Sequence, residues 1–173
     1  MATSHGRDNM ANARLIVCFD GTWNTPDNAS NPTNVVKLLR AIPSKDGEVR
    51  QFVFYDKGVG TTGSVLDKIA GGLFGDGLTA NLIDGYRFLA NNWQSGDEIY
   101  IFGFSRGAYT ARSLAGFLGL CGMISRSDLG GGLEGAIDIY RKPDINHDLK
   151  QHAIDALNIE RDCSARIKCI GVW

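Results

Sequence analysis

The amino-acid sequence predicts an α/β fold, a mainly parallel sheet with helices on both faces. Three observations carry that expectation. Short apolar runs at 15–19 and 99–102 lack the polar alternation of a half-exposed strand and read as strands buried on both sides, and 49–55 resembles a further strand. Segments with apolar residues at helical spacing separate them, so strands and helices alternate along the chain. The run at 99–102 ends in Gly103-Phe104-Ser105-Arg106-Gly107, a Gly-x-Ser-x-Gly turn followed by another helical stripe.

The first 13 residues are polar, lack the apolar core of a secretory signal and are expected to be a disordered lead-in to one domain over 14–173. Leu15 to Phe19 is the first strand. Asp20-Gly21-Thr22 opens the loop at its carboxyl end, the edge where open α/β sheets place their chemistry. That loop runs on through Asn24, Pro26, Asn28, Asn31 and Pro32, and a helix starts near Thr33 with Val35, Val36, Leu38, Leu39 and Ile42 as its apolar stripe. Val49 to Tyr55 is the second strand. Gly58 to Gly77 is too long for a simple turn and reads as a surface excursion with a short helix around 65–70. Leu82, Ile83, Tyr86, Leu89, Ala90 and Trp93 mark an amphipathic helix over 78–93, which feeds the strand at 99–102. After the Ser105 turn, Ala108, Ala111, Leu114, Ala115 and Leu118 form the next stripe. Helices are expected around 133–140 and 148–157, and a last apolar run covers 167–173.

The chemistry centres on Ser105. A serine between a strand and a helix projects its hydroxyl outward only where the chain reverses sharply, and glycines at 103 and 107 leave the space for that reversal. The spacing alone arises often by chance in a chain this rich in glycine and serine. Strand, tight turn and helix in that order are what make it a nucleophile elbow.

Composition excludes several other classes. The 173 residues carry a formal net charge of −1 with no Lys/Arg block, so the electrostatic footprint of a nucleic-acid binder is missing. Cys18, Cys121, Cys163 and Cys169 contain no Cys-x-x-Cys pair, two lie in apolar runs, and reduced thiols in a cytoplasmic protein are expected. The longest apolar stretch, Leu114 to Ile124, is too short to span a bilayer. No metal-ligand set or cofactor is read from the sequence.

Two competing motifs fare worse. Gly58-Val59-Gly60-Thr61-Thr62-Gly63 matches a dinucleotide fingerprint, but Asp84, at about the right separation, sits in a helical pattern instead of ending a strand. Phe19-Asp20-Gly21-Thr22 resembles the loop of haloacid-dehalogenase-type phosphatases, yet Cys18 occupies the place of their nucleophilic aspartate. Asp20 reads equally as a loop cap and as a direct participant at the active edge. His5, His147 and His152 are the available bases. His147 and His152 follow Ser105, but no strand-end acid precedes them in the required order, and Asp148 with His152 reads as an exposed i, i+4 ion pair.

Five blocks in order, Phe19-Asp20-Gly21-Thr22-Trp23-Asn24, Asn34-Val35, Tyr55 to Thr61, Gly103 to Tyr109 with Ala111-Arg112, and Gly171-Val172-Trp173, resemble domain of unknown function 2235, the α/β-hydrolase catalytic domain of type VI secretion phospholipase effectors. The resemblance runs from about Leu15 to Trp173. It implies lipid ester cleavage by an acyl-enzyme route, with Ser105 as nucleophile. Arg106 and the Gly21-Thr22 loop would offer backbone N–H groups to an oxyanion hole. It further implies a phospholipid substrate, peripheral membrane contact, delivery to a target cell, and secretion-apparatus and immunity proteins as partners. In that family the Gly-Val-Trp run precedes the triad aspartate, with the histidine further downstream. The chain is therefore expected to hold the amino-terminal half of the hydrolase core, incomplete at its C-terminus and impaired alone. A non-catalytic domain that binds lipid or a partner protein is the opposing expectation.

Overall fold

The structure, a computed structural model, describes residues 12–21, 31–58 and 76–173. Its strands and helices are β1 (Arg14–Phe19), α1 (Asn34–Ala41), β2 (Lys45–Asp46), β3 (Val49–Asp56), α2 (Asp76–Asn92), β4 (Glu98–Gly103) and α3 (Arg106–Cys121), then β5 (Met123–Ile124), α4 (Gly131–Arg141), α5 (His147–Asp155), β6 (Arg161–Asp162) and β7 (Ile167–Val172). Of the lead-in expected over 1–13, residues 1–11 lie outside the described residues, as does the helix expected around 65–70. Ala13, by contrast, is buried and tied to the start of β4, its N donating to Asp97 Oδ1 at 2.6 Å and its O accepting from Glu98 N at 2.9 Å.

A five-stranded sheet has the order β2-β3-β1-β4-β7, with β1 parallel to both β3 and β4, β4 parallel to β7, and β2 antiparallel to β3. The chain steps from β1 outward to β3 and then returns across β1 to β4. That reversal brings the carboxyl ends of β1 and β4 together, the place where such sheets open a crevice.

Alternation along β1 explains why the whole strand is apolar. Leu15, Val17 and Phe19 join Ile99 and Ile101 beneath α2 and α3, whereas Ile16 and Cys18 face Val35 of α1 on the other side. Each helix end is also set locally. Thr33 accepts from Val36 N at 3.1 Å as the N-cap of α1, and Asn146 accepts from Leu149 N at 2.9 Å at α5. Gly122, at φ +67, closes α3 by donating to Leu118 O at 2.8 Å. Its carbonyl accepts from the Tyr86 hydroxyl at 2.8 Å, which in turn accepts from Ile124 N at 2.9 Å and so ties α2 to the exit of α3.

Three short strands were not foreseen. β2, β5 and β6 have two residues each, too few to show a period, and they form only because Lys45–Asp46 meets β3 and Met123–Ile124 meets β6. The expected Asp148–His152 pair is not formed. Both side chains are exposed, and water solvates such charges at little loss. All four cysteines are free, with Cys18 and Cys121 buried and Cys163 and Cys169 exposed. Among the described residues, no helix is long and apolar enough to cross a membrane.

Candidate active site

Residue pairing first brings the site together. Phe19 of β1 lies opposite Gly103 of β4, and the chain then leaves both strands side by side, with Phe104 N donating to Phe19 O at 3.0 Å. Asp20 N donates to Asp56 O at 2.8 Å, carrying the ladder to β3. On the far side, Ser105 N donates to Trp173 O at 2.8 Å and Trp173 N to Gly103 O at 3.0 Å. The turn after β4 is thus fixed from both neighbours.

Ser105 occupies that turn at φ 54 and ψ −119, a conformation that non-glycine residues rarely adopt, and its side chain is exposed. The flanking glycines are steric necessities. A Cβ on Gly103 would lie 2.6 Å from the Gly107 carbonyl carbon, and one on Gly107 would lie 2.7 Å from Asp20 O and nearer still to Phe19 O. β1 therefore runs directly beneath the first turn of α3. Arg106 opens that helix; Gly107 N and Ala108 N of its first turn donate to Phe104 O at 2.9 Å and Ser105 O at 3.0 Å, and the helix dipole favours negative charge beside Ser105.

Asp20 is 1% exposed. Its Oδ1 accepts from Gly21 N at 2.7 Å, and its Oδ2 accepts from Thr33 Oγ1 at 2.8 Å and from the Tyr55 hydroxyl at 2.9 Å. Gly58, at φ +77, comes against the same loop, since a Cβ there would lie 2.8 Å from Asp20 O. Thr33 and Tyr55 are the residues that sequence reasoning did not connect with Asp20. Thr33 was legible only as a helix cap, and Tyr55 only as the end of a strand. Gly21 N–H, one of the expected oxyanion donors, is engaged by Asp20. Thr22 lies outside the described residues.

The competing motifs resolve geometrically. Burial, aided by the charge of Asp20, pushes the Cys18 thiol up to about 12, so it offers no thiolate at neutral pH. Asp84 is exposed on α2, and Gly60 and Gly63 of the dinucleotide motif lie outside the described residues. His147 and His152 are exposed on α5, whose Gln151 faces Leu118, Gly119 and Leu120 in the last turns of α3. Ser105 stands at the other end of that 16-residue helix, about 20 Å from Leu118. Neither histidine of α5 reaches it. Among the described residues, no group of His, Cys, Asp and Glu is arranged to hold a metal ion.

A mainly parallel sheet with an exposed serine at a helix N-terminus, on the edge where the strand order reverses, defines an α/β domain with a candidate site at the carboxyl ends of β1 and β4. Residues 13–173 match the family model described as "T6SS, Phospholipase effector Tle1-like, catalytic domain", and the chain belongs to that family. It is also similar to "Uncharacterized protein YEL023C" of Saccharomyces cerevisiae (strain ATCC 204508 / S288c), 33% identical over 126 residues that cover 65% of this chain and 18% of that relative. The chain thus spans under a fifth of the relative's length. No solved structure matches the chain.

Proposed function

We propose that this chain carries the nucleophile of a serine ester hydrolase of the phospholipase type. The observation that supports this most is the Ser105 backbone at φ 54, held between two glycines that no larger residue could replace without collision. Non-glycine residues rarely adopt that conformation, and the serine it carries is exposed. Ser105 Oγ attacks the acyl carbonyl of a phospholipid, its proton passes through a base to the departing alcohol, and the acyl-enzyme is then hydrolysed by water to release the fatty acid. Arg106 N–H is one donor to the oxyanion. With Gly21 N–H bonded to Asp20, the second donor role passes to Thr22 of the same loop. We place the base outside α5, whose Gln151 lies by the last turns of α3 and so away from Ser105.

A fluorophosphonate probe tests the reading. Covalent labelling of Ser105 that disappears in Ser105→Ala is the expected result, and folded wild-type protein that takes up no label sinks it. That negative outcome would favour a second reading, supported by the distance of the histidines, in which the domain binds lipid or a partner protein without turnover. Membership of the phospholipase effector family supports lipid as the substrate class. It also supports residence in the producing cell's cytoplasm before type VI delivery, peripheral membrane contact in the target cell, and secretion and immunity proteins as partners.

A further inference from the structure

We infer that Asp20 is a positioning residue: an ionised carboxylate, held by Tyr55 and Thr33, that orients the Gly21 peptide and with it the oxyanion side of the Ser105 site. This rests on the hydrolase reading above. The donors around Asp20 match the ionised form. The Thr33 hydroxyl accepts from Val36 N at 3.1 Å, so its own proton is directed to Asp20 Oδ2 at 2.8 Å. The Gly21 peptide can only donate, and it does so to Oδ1 at 2.7 Å. Tyr55, 2.9 Å from Oδ2, keeps its proton, because burial and the neighbouring carboxylate both raise its pKa. Three donors converge on one group that is 1% exposed, which suits a carboxylate and neither an amide nor a protonated acid.

The same contacts bar Asp20 from acting on substrate. It is covered by α1 and β3, and Oδ2 already accepts two protons. What it governs is its own loop. Asp20 O lies beneath Gly107, so rotation of the Gly21 peptide would move the loop against the first turn of α3, where the oxyanion is to be bound. Tyr55 and Thr33 come from separate elements, so strand β3 and the cap of α1 jointly fix the loop's position against the first turn of α3. A loop fixed before substrate arrives loses no free energy to reorganisation during the reaction.

Asp20→Asn and the milder Tyr55→Phe test this, with two readouts on the whole chain. The first is hydrogen exchange of the Gly21 amide by NMR, expected to accelerate about tenfold or more in both variants while the melting temperature of Tyr55→Phe changes little. The second is hydrolysis of a short-chain p-nitrophenyl ester, with kcat expected to fall about tenfold or more at nearly unchanged KM. Gly21 exchange that stays at the wild-type rate in both variants overturns the proposal. So does a matched loss of kcat and KM that simply follows the melting temperature. Wild-type protein that neither turns over the ester nor labels at Ser105 with the fluorophosphonate probe sinks the hydrolase reading instead, and Gly21 exchange still decides whether Asp20 holds the loop.

Discussion

Ser105 carries the site's tension in its backbone. At φ 54 and ψ −119 a side chain with a Cβ is strained by about 1–3 kcal/mol, which the bonds from Ser105 N to Trp173 O and from Phe104 N to Phe19 O must hold in place. Ser105→Gly is therefore expected to be more stable than Ser105→Ala by about 1 kcal/mol in urea unfolding, with both variants unreactive toward a serine probe. Gly107 has the opposite sensitivity. Gly107→Ala presses a methyl group onto the carbonyls of Phe19 and Asp20, and a loss of about 3 kcal/mol is expected in the same assay. Equal stability of wild type and Gly107→Ala would mean that β1 does not lie under the elbow as described.

Among the elements, α2 and α3 are joined by one hydroxyl. Tyr86 is fully buried, stacks edge-on against Phe117 at 4.8 Å between centroids, and bonds both Gly122 O and Ile124 N. Tyr86→Phe keeps the ring but leaves a buried carbonyl and a buried N–H without that partner. The expected loss is about 1–3 kcal/mol by denaturant titration, more than the removal of an ordinary hydrogen bond. Helices of this fold were legible because their stripes and caps are local, as Thr33 before Val35 and Val36 shows. The two-residue strands were not. β5 and β6 exist through pairing between Met123 and Asp162, positions far apart in the chain that carry no local pattern.

The whole molecule separates its thiols and its carboxylates by depth. Cys163 and Cys169 are expected to react with a thiol reagent in the native state, and Cys18 and Cys121 only after unfolding. A native count other than two would contradict the sheet order, which buries Cys18 between β3 and β4. Asp56 supplies a pH signature. Burial first, and the charge of Asp84 second, hold its carboxyl above the usual range despite the bond from Gly58 N. The folded state therefore binds that proton more tightly than the unfolded chain. The resulting stability is complete below the unfolded pKa and is lost as pH rises through the folded value. Asp56→Asn, which can still accept from Gly58 N, should gain on wild type at neutral pH and lose that advantage on acidification, as unfolding midpoints across that range would show.

Local rules were enough to foresee a strand at 15–19, a helix after Thr33 and a serine on a turn between glycines, because period, cap and glycine spacing each operate over a few residues. They were also enough to doubt the histidines. Which loop meets which strand was a different matter. Asp20 reaches Thr33 across 13 positions and Tyr55 across 35, and both contacts follow from β1 lying between β3 and β4. That order also engages the Gly21 N–H, sets Trp173 beside Ser105 and leaves α5 at the wrong end of α3. Such juxtapositions come from packing distant segments around one sheet, and no local pattern encodes them.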